Sequence, residues 1–324
     1  MTVLSDRVPV SVLIPAKNEE LNLAACLNSV APAAEILVVD SLSSDRTIEI
    51  AKEHGAIVYQ FDFSKEKERH ETAFAEGKPS KLRKKKNWSL DELPFSYEWV
   101  LIVDCDERIT PALWQEMAEL IEQDKCDGYY LNRRVYFLGK WIRHGGKYPD
   151  WNLRFFKHHK GRYENLNLDY IPNSGDNEVH EHVILQGKVG YLKNDMDHID
   201  FRDIYQWLAR HNRYSNWEAG FYNQLLNGKL NDGIEPNLFK TGPERTRFFR
   251  MVWARLWFKP FLRFIIFYIL RLGFLDGQPG YIYARLLSQY EYQIWVKFYE
   301  LRQFGGHLNT DPLLKSENSR TSGL

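Results

Sequence analysis

The sequence predicts an α/β protein, a doubly wound and mostly parallel sheet followed by a C-terminal amphipathic helical region. Three observations carry that expectation. Apolar strands and amphipathic helices alternate as β-α-β-α-β between Val8 and Phe61, a pattern that implies a parallel, right-handed sheet. A second apolar run, Trp99-Val-Leu-Ile-Val, ends abruptly in Asp104-Cys-Asp-Glu107. A strand apolar at every position is buried on both faces, as in the middle of a parallel sheet. From Arg245 to Arg271 the chain carries seven basic residues and no acid, interleaved with Trp, Phe and Tyr, and reads as helical.

In chain order, Val8 to Ile14 forms the first strand and Pro15 closes it. Ala16-Lys-Asn-Glu-Glu20 opens a helix with Leu23, Leu27 and Val30 at helical spacing. Glu35 to Val39 is the second strand and ends in Asp40. Ser41 to Ser44 form a polar turn, Asp45 caps a helix from Arg46 to His54, and Gly55 ends it before the third strand, Ala56 to Phe61. Ser64 to Lys86 breaks the alternation. It has few large apolar residues and gathers Lys81, Arg83, Lys84, Lys85 and Lys86 at its end. It reads either as a solvated, mobile insertion or as a basic flap over an anionic ligand or membrane. Lys86-Asn87 leads a short helical piece toward the Asp104 strand.

Beyond the acidic turn, Thr110 caps a helix with Pro111 at its first position, and Leu113, Met117, Leu120 and Ile121 face the sheet. Gly128 to Phe137 alternates as a strand, Gly139 to Asp150 reads as an irregular loop, and Asn152 to Phe156 is a short strand carrying Arg154. Val183 to Leu192 reads as a hairpin turning at Gln186-Gly187, and Phe201 to Asn227 as a long helix. Gly277-Gln-Pro-Gly280 ends the basic aromatic segment, Tyr281 to Arg302 is a further amphipathic helix, and the residues after Gly305 form a flexible tail.

Composition narrows the function. Lys plus Arg and Asp plus Glu both number 43, so overall charge points to no partner, and only its distribution informs. Three cysteines without a C-x-x-C are not a disulfide framework, and a reducing compartment fits them. The first residues lack the succession of a signal peptide. No stretch reaches about 18 uncharged apolar residues, so no ordinary membrane span is expected. The basic aromatic segment suits the plane of a membrane interface, with Trp and Tyr at headgroup level and arginines on anionic lipid. Its plainer reading is a helix pair packed on the sheet with snorkelling arginines. Its apolar density is too high for a solvated nucleic-acid groove, so no nucleic-acid partner is expected.

The acids past the Asp104 strand sit where open α/β sheets bind ligands. Asp104 and Asp106, one residue apart, can hold a hard divalent cation and leave positions for phosphate oxygens. A solvated acidic loop is the plainer reading of D-x-D by itself. The preceding buried strand and the second acid-tipped strand, ending at Asp40, favour a metal–nucleotide site. A nucleotidyltransferase would need a G-x-G-rich phosphate loop after the first strand, and Pro15 to Glu20 is not one.

Ser11-Val-Leu-Ile-Pro-Ala-Lys-Asn-Glu-Glu20, Val38-Val-Asp-Ser-Leu-Ser-Ser-Asp-Arg-Thr47 and Val103-Asp-Cys-Asp-Glu107 resemble, in order, the signatures of family 2 inverting glycosyltransferases, which have the GT-A fold. The resemblance covers about residues 8 to 200. Tyr148-Pro-Asp-Trp-Asn-Leu-Arg154, Val179-His-Glu181, His198, the aromatic helix to Asn216 and the basic C-terminal part more loosely resemble the lipopolysaccharide-core glucosyltransferase branch. The resemblance implies a nucleotide-sugar donor, most often UDP-linked, and Mn²⁺ or Mg²⁺. It implies that Pro15, Lys17 and Glu19 line the nucleotide side and that Asp40 contacts the base or ribose. Lys86-Asn87 matches an Arg-Asn pair near the diphosphate, where lysine keeps the charge but loses the bidentate fork. Asp104 and Asp106 match the metal-binding D-x-D, and His198 a late histidine of the metal or diphosphate shell. Arg154 is a further donor-side candidate, with a structural ion pair as its plainer role. Ser41 departs from the family, many of whose members carry an aspartate there.

Displacement at an anomeric carbon needs the leaving diphosphate neutralised and a base for the acceptor hydroxyl. Glu181 is the first candidate base and Asp150 the second; Trp141 and Trp151 either stack on a sugar or simply pack. The expected organisation is a catalytic, nucleotide-sugar-binding domain over 1–200, a helical membrane-interface region over 201–304, and a tail over 305–324. The expected activity is transfer of a glucose-type hexose to a lipid-linked or cell-envelope glycan by a cytoplasmic protein, peripheral at the anionic inner face of the membrane. The alternative is a non-catalytic, membrane-associated nucleotide-sugar or glycan binding protein.

Overall fold

The computed structural model describes residues 7–164, 182–199, 203–228, 236–239 and 243–304. The described residues up to 199 form one compact unit and those from 203 onward a second.

The first unit is organised around β1 (Val8–Ala16), whose side chains are buried almost throughout. It lies parallel to β2 (Ala33–Asp40) on one side and β4 (Trp99–Ile102) on the other, with β3 (Ile57–Gln60) parallel to β2. β8 (Trp151–Lys157) runs antiparallel to both β4 and β6 (Gly128–Phe137), and β11 (Val189–His198) is parallel to β6. The short β5 (Glu107–Arg108) pairs with the end of β11, giving the order β3-β2-β1-β4-β8-β6-β11-β5. The long strands therefore point one way except β8, as a mostly parallel sheet requires.

Both faces of the sheet are covered. Val10, Val12 and Ile14 pack with Leu23 and Leu27 of α1 (Leu23–Val30) and with Leu113, Trp114 and Met117 of α5 (Pro111–Gln123). Alternation sends Leu13, Val39, Val100 and Ile102 to the other face, against Leu90 of α4 (Lys85–Glu92) and Tyr163 of β9 (Gly161–Tyr163). α5 starts where the sequence places it, with the Thr110 side chain accepting from the Leu113 amide and Pro111 in the first turn. Asp45 accepts from the Thr47 amide at the start of α2 (Thr47–Glu53), one residue inside the expected start.

Four expectations are corrected. Ser64 to Lys86, expected as a solvated insertion or a basic flap, is largely a helix: Phe63–Ala75 is α3, capped by Asp62. The pattern was hidden because its inward residue is an acid. Glu66 is buried and bound by Arg69 at 2.7 Å and Arg83 at 2.9 Å, so an ion cluster does the work of an apolar stripe. Val183 to Leu192 is not a hairpin. β10 (Val183–Leu185) pairs with β9, whereas β11 joins the main sheet. Asp127 forces the parting, accepting from the Lys188 amide directly after Gly187. A Cβ on Gly187 would meet that carboxylate at 2.1 Å. Inside the expected loop, β7 (Lys140–Trp141) pairs back onto β6. Finally, Gly277 begins a helix rather than only ending a segment.

The second unit is helical: α6 (Ile204–Leu226), α7 (Pro243–Arg255), α8 (Lys259–Phe264), a π-helical turn over Ile265–Leu270, a 3₁₀ turn over Gly273–Asp276, and α9 (Gly277–Phe304). Asp203 caps α6 by accepting from the Gln206 amide. Trp217, Phe221 and Leu225 of α6 pack with Ile294 and Phe298 of α9. Glu291 of α9 is buried and faces Lys259 at 3.8 Å and Arg263 at 3.4 Å, and it accepts from the Trp253 indole. Two of the seven cations of the basic stretch are thus turned toward Glu291. Arg245, Arg250, Arg255 and Arg271 are exposed. Among the described residues no helix is long and apolar enough to cross a membrane.

Candidate active site

Three parallel strands end at one edge, and their last residues frame the site. Ala16 and Asp40 are register partners at the ends of β1 and β2. The Val103 amide donates to Leu13, which carries β4 to the same level before the chain turns through Asp104. The turn is held from inside. The Glu107 side chain is fully buried and accepts from the Asp104 amide at 2.8 Å. The Ile199 amide donates to the Asp106 carbonyl, and His198 pairs in register with Glu107.

Cations converge on this turn from three elements. Lys86 of α4 reaches Asp104 Oδ1 at 3.2 Å. Arg154, one step past the Leu101–Phe155 register pair, reaches Asp104 Oδ2 at 2.5 Å and Glu107 at 3.7 Å. Arg133 of β6 lies 3.5 Å from Glu107 and holds Asp150 at 2.7 Å. His198 Nε2 lies 3.4 Å from Asp106 Oδ2. Asp104, Glu107 and Asp150 thus face Lys86, Arg154 and Arg133, and Asp106 faces His198.

Burial and charge oppose each other here. Burial pushes the Asp104 carboxyl up, but Arg154 and Lys86 outweigh it and hold the group well below the usual carboxylate range. Glu107, buried deeper in the same cluster, is raised by burial and by Asp104 despite Arg154 and Arg133. Burial pulls the His198 imidazole down, and Asp106 more than restores it, so the ring titrates above an ordinary histidine.

Asp104, Asp106, His198, Lys86 and Arg154 are brought together. Asp150 joins them through Arg133. The Asn87 side chain instead spans the Tyr163 backbone, donating to its carbonyl at 2.9 Å and accepting from its amide at 2.8 Å. It fastens α4 to β9 and thereby aims Lys86. Asp40 is buried and accepts from the Ser43 amide at 2.9 Å. The Glu19 amide donates to Thr47 Oγ1, and its carboxylate accepts from Asn22. Pro15 is half-buried and Lys17 is exposed beside them. Glu181 lies outside the described residues. Arg133 is the residue that sequence reasoning missed, although a charged residue inside the alternating Gly128–Phe137 strand was the available signal. Lys85, whose ammonium donates to the Ala16 carbonyl at 3.1 Å, adds a cation at the same edge. Among the described residues no three His, Cys, Asp or Glu side chains form a complete metal-binding group.

The family profile described as Glycosyl transferase family 2 matches residues 11–77. The chain is 25% identical over 311 residues to the lipopolysaccharide core biosynthesis glycosyltransferase LpsC of Rhizobium meliloti, covering 95% of this chain and 98% of that protein. It is 24% identical over 328 residues to an uncharacterized glycosyltransferase of Rickettsia bellii, covering 96% of this chain and 92% of that one. Among solved structures, it is similar to Staphylococcus aureus TarS 1-349, at 15% identity, 93% coverage of both chains and a TM-score of 0.37. It is also similar to glucosyl-3-phosphoglycerate synthase of Mycobacterium tuberculosis with Mn²⁺, UDP and glucosyl-3-phosphoglycerate, at 24% identity, 39% of this chain, 44% of that chain and a TM-score of 0.28. The profile match runs from β1 to α3, and its strands β1 and β2 end at one side of the acidic edge. The chain thus resembles family 2 glycosyltransferases over residues 11–77 and, over nearly its whole length, glycosyltransferases that include one of lipopolysaccharide core biosynthesis.

Proposed function

We propose that the chain transfers a glucose-type hexose from a UDP-linked donor, with inversion, to a lipid-linked or cell-envelope glycan. The observation that carries this reading is the charge balance at the acidic turn. Asp104 and Glu107 are already met by Lys86, Arg154 and Arg133, and Asp106 faces His198. A bound diphosphate therefore adds uncompensated negative charge in a buried place, and a divalent cation would neutralise it. The donor set fits such an ion. The Asp106 carboxylate and the His198 imidazole approach to 3.4 Å, and a carboxylate with one imidazole suits Mn²⁺ or Mg²⁺ that keeps further positions for phosphate and water. When bound, the metal supplies Lewis-acid stabilisation of the departing diphosphate.

The chain's own groups supply the rest. Lys86 and Arg154 orient the Asp104 carboxylate and lend positive potential to the donor side. Asp40, with Pro15, Lys17 and Glu19, lines the nucleoside end. A carboxylate takes the proton of the acceptor hydroxyl as that oxygen bonds the anomeric carbon and the nucleoside diphosphate leaves. Glu181 is the first candidate; Asp150, the second, is held by Arg133.

We also place the enzyme on an anionic membrane. Trp257 and Phe261 are 72% and 65% exposed, and Leu270 is 69% exposed, among the outward arginines of the second unit. The test is nucleotide release from UDP-, GDP- and CMP-sugars with a bacterial envelope extract as acceptor, with Mn²⁺ or with chelator. Acceptor-dependent UDP release that needs the metal supports the reading, and turnover indifferent to chelation refutes the metal. Co-sedimentation with vesicles containing phosphatidylglycerol, absent with phosphatidylcholine alone, tests the membrane part.

A further inference from the structure

Three aromatic rings form an exposed corner on the main sheet. Tyr130 of β6 and Tyr191 of β11 are register partners and stack with centroids 5.0 Å apart and planes 17° apart. Trp151, the first residue of β8, meets Tyr191 edge-on at 5.1 Å and 85°. Trp151 is 40% exposed and Tyr191 61% exposed, so these rings are not core. Alternation fixes the face they stand on. Leu192 and Met196 bury in the cluster with α5, and Glu116 of α5 accepts from the Lys193 and Asn194 amides. Tyr191 therefore points to the opposite face. Arg154 reaches the Tyr163 hydroxyl at 3.3 Å on that same face.

Polar groups run from this corner toward the acidic turn. Trp151 is the register partner of Asn132, whose amide donates to Asp195 at 2.8 Å. Asp195 also accepts from the Tyr148 hydroxyl at 3.0 Å. Asp150, next to Trp151, is bound by Arg133, which reaches Glu107 at 3.5 Å. Along β6, Asn132 lies three residues before Val135, the register partner of His198, a distance of about 10 Å.

We propose that this corner is an acceptor subsite that holds a pyranose ring of the glycan, removed from the ring that carries the reacting hydroxyl. The proposal rests on the glycosyltransferase reading. A pyranose has an apolar C–H face and a rim of hydroxyls. Two rings at right angles cover the face and one edge, and the half-buried carboxylates of Asp150 and Asp195 offer acceptor positions to the rim, with the buried Asn132 holding both from behind.

The test uses the full chain and a lipid-free core oligosaccharide released from lipopolysaccharide by mild acid. Saturation-transfer NMR and titration compare wild type with Trp151→Ala, Tyr191→Ala and Tyr191→Phe, and thermal stabilisation by UDP with Mn²⁺ reports separately on the donor side. The expected result is saturation of ring C–H protons in wild type and in Tyr191→Phe. Both alanine variants should bind about ten-fold more weakly while keeping the UDP response. Should an alanine variant lose that response, Tyr191→Leu against Tyr191→Phe decides between a ring and mere bulk. Equal binding by all variants overturns the subsite, and so does a wild type that responds to UDP but not to the oligosaccharide. A wild type that responds to neither removes the donor-site reading, and the subsite falls with it.

Discussion

Replacing Arg154 with Met removes a guanidinium that is 7% exposed and lies 2.5 Å from Asp104 and 3.7 Å from Glu107. Removing one partner of a buried ion pair costs about 3–5 kcal/mol, because a buried charge is left uncompensated. Lys86 remains 3.2 Å from Asp104 and bounds the loss, so about 3 kcal/mol is expected. Asp104→Asn leaves Arg154 with Glu107 and should cost about 2 kcal/mol. In the double variant neither charge is stranded, and its loss should fall short of the sum by at least about 1.5 kcal/mol. Urea unfolding at neutral pH, followed by tryptophan fluorescence, gives the four stabilities of the cycle. Losses that add to within about 0.5 kcal/mol would refute the coupling, and with it the claim that the turn is held by mutual neutralisation.

Other outcomes follow from the same packing. Burial pushes the Glu66 carboxyl up, but Arg69 and Arg83 overcome it and hold it at about 2. That lowered value adds stability, on the order of 2 kcal/mol, which is present above the unfolded pKa near 4.5 and lost as the pH falls toward 2. Glu66→Gln should flatten this acid limb in pH-dependent denaturation. Gly161→Ala sets a Cβ 2.6 Å from the Phe156 ring and should cost about 1–3 kcal/mol, read as a lower Tm. The raised His198 pKa means a proton competes with metal at that ring, so Mn²⁺ affinity by calorimetry should rise from pH 6 to pH 8, and His198→Gln should abolish the rise.

The sheet was legible because its strands are uniformly apolar and its caps are explicit, as at Thr110 and Asp45. The acidic turn was legible because three carboxylates follow a strand whose residues are all buried. Helix α3 was not, since Glu66 with Arg69 and Arg83 replaces an apolar stripe and polarity alone reads as solvent. The parting of β10 from β11 depends on Asp127, about sixty residues upstream of Gly187, and no local pattern encodes such a contact. Alternation along Gly128–Phe137 tells which face Arg133 takes, not that Glu107 and Asp150 lie there. The Asn87 amide matches the Tyr163 backbone, a long-range pairing that the Lys86-Asn87 dipeptide does not announce.

The central claim is that the Asp104–Asp106 turn with His198 is a metal–nucleotide site. It is tested most directly by thermal unfolding with UDP, GDP, CMP or ADP, each with Mn²⁺ and with chelator, on wild type and Asp106→Ala. Ligand at about a hundred times its Kd should stabilise by about 2.7 kcal/mol. The account predicts a shift with UDP that needs Mn²⁺ and vanishes in Asp106→Ala. A nucleotide shift that survives both chelator and the substitution, or no shift with any nucleotide, would contradict it.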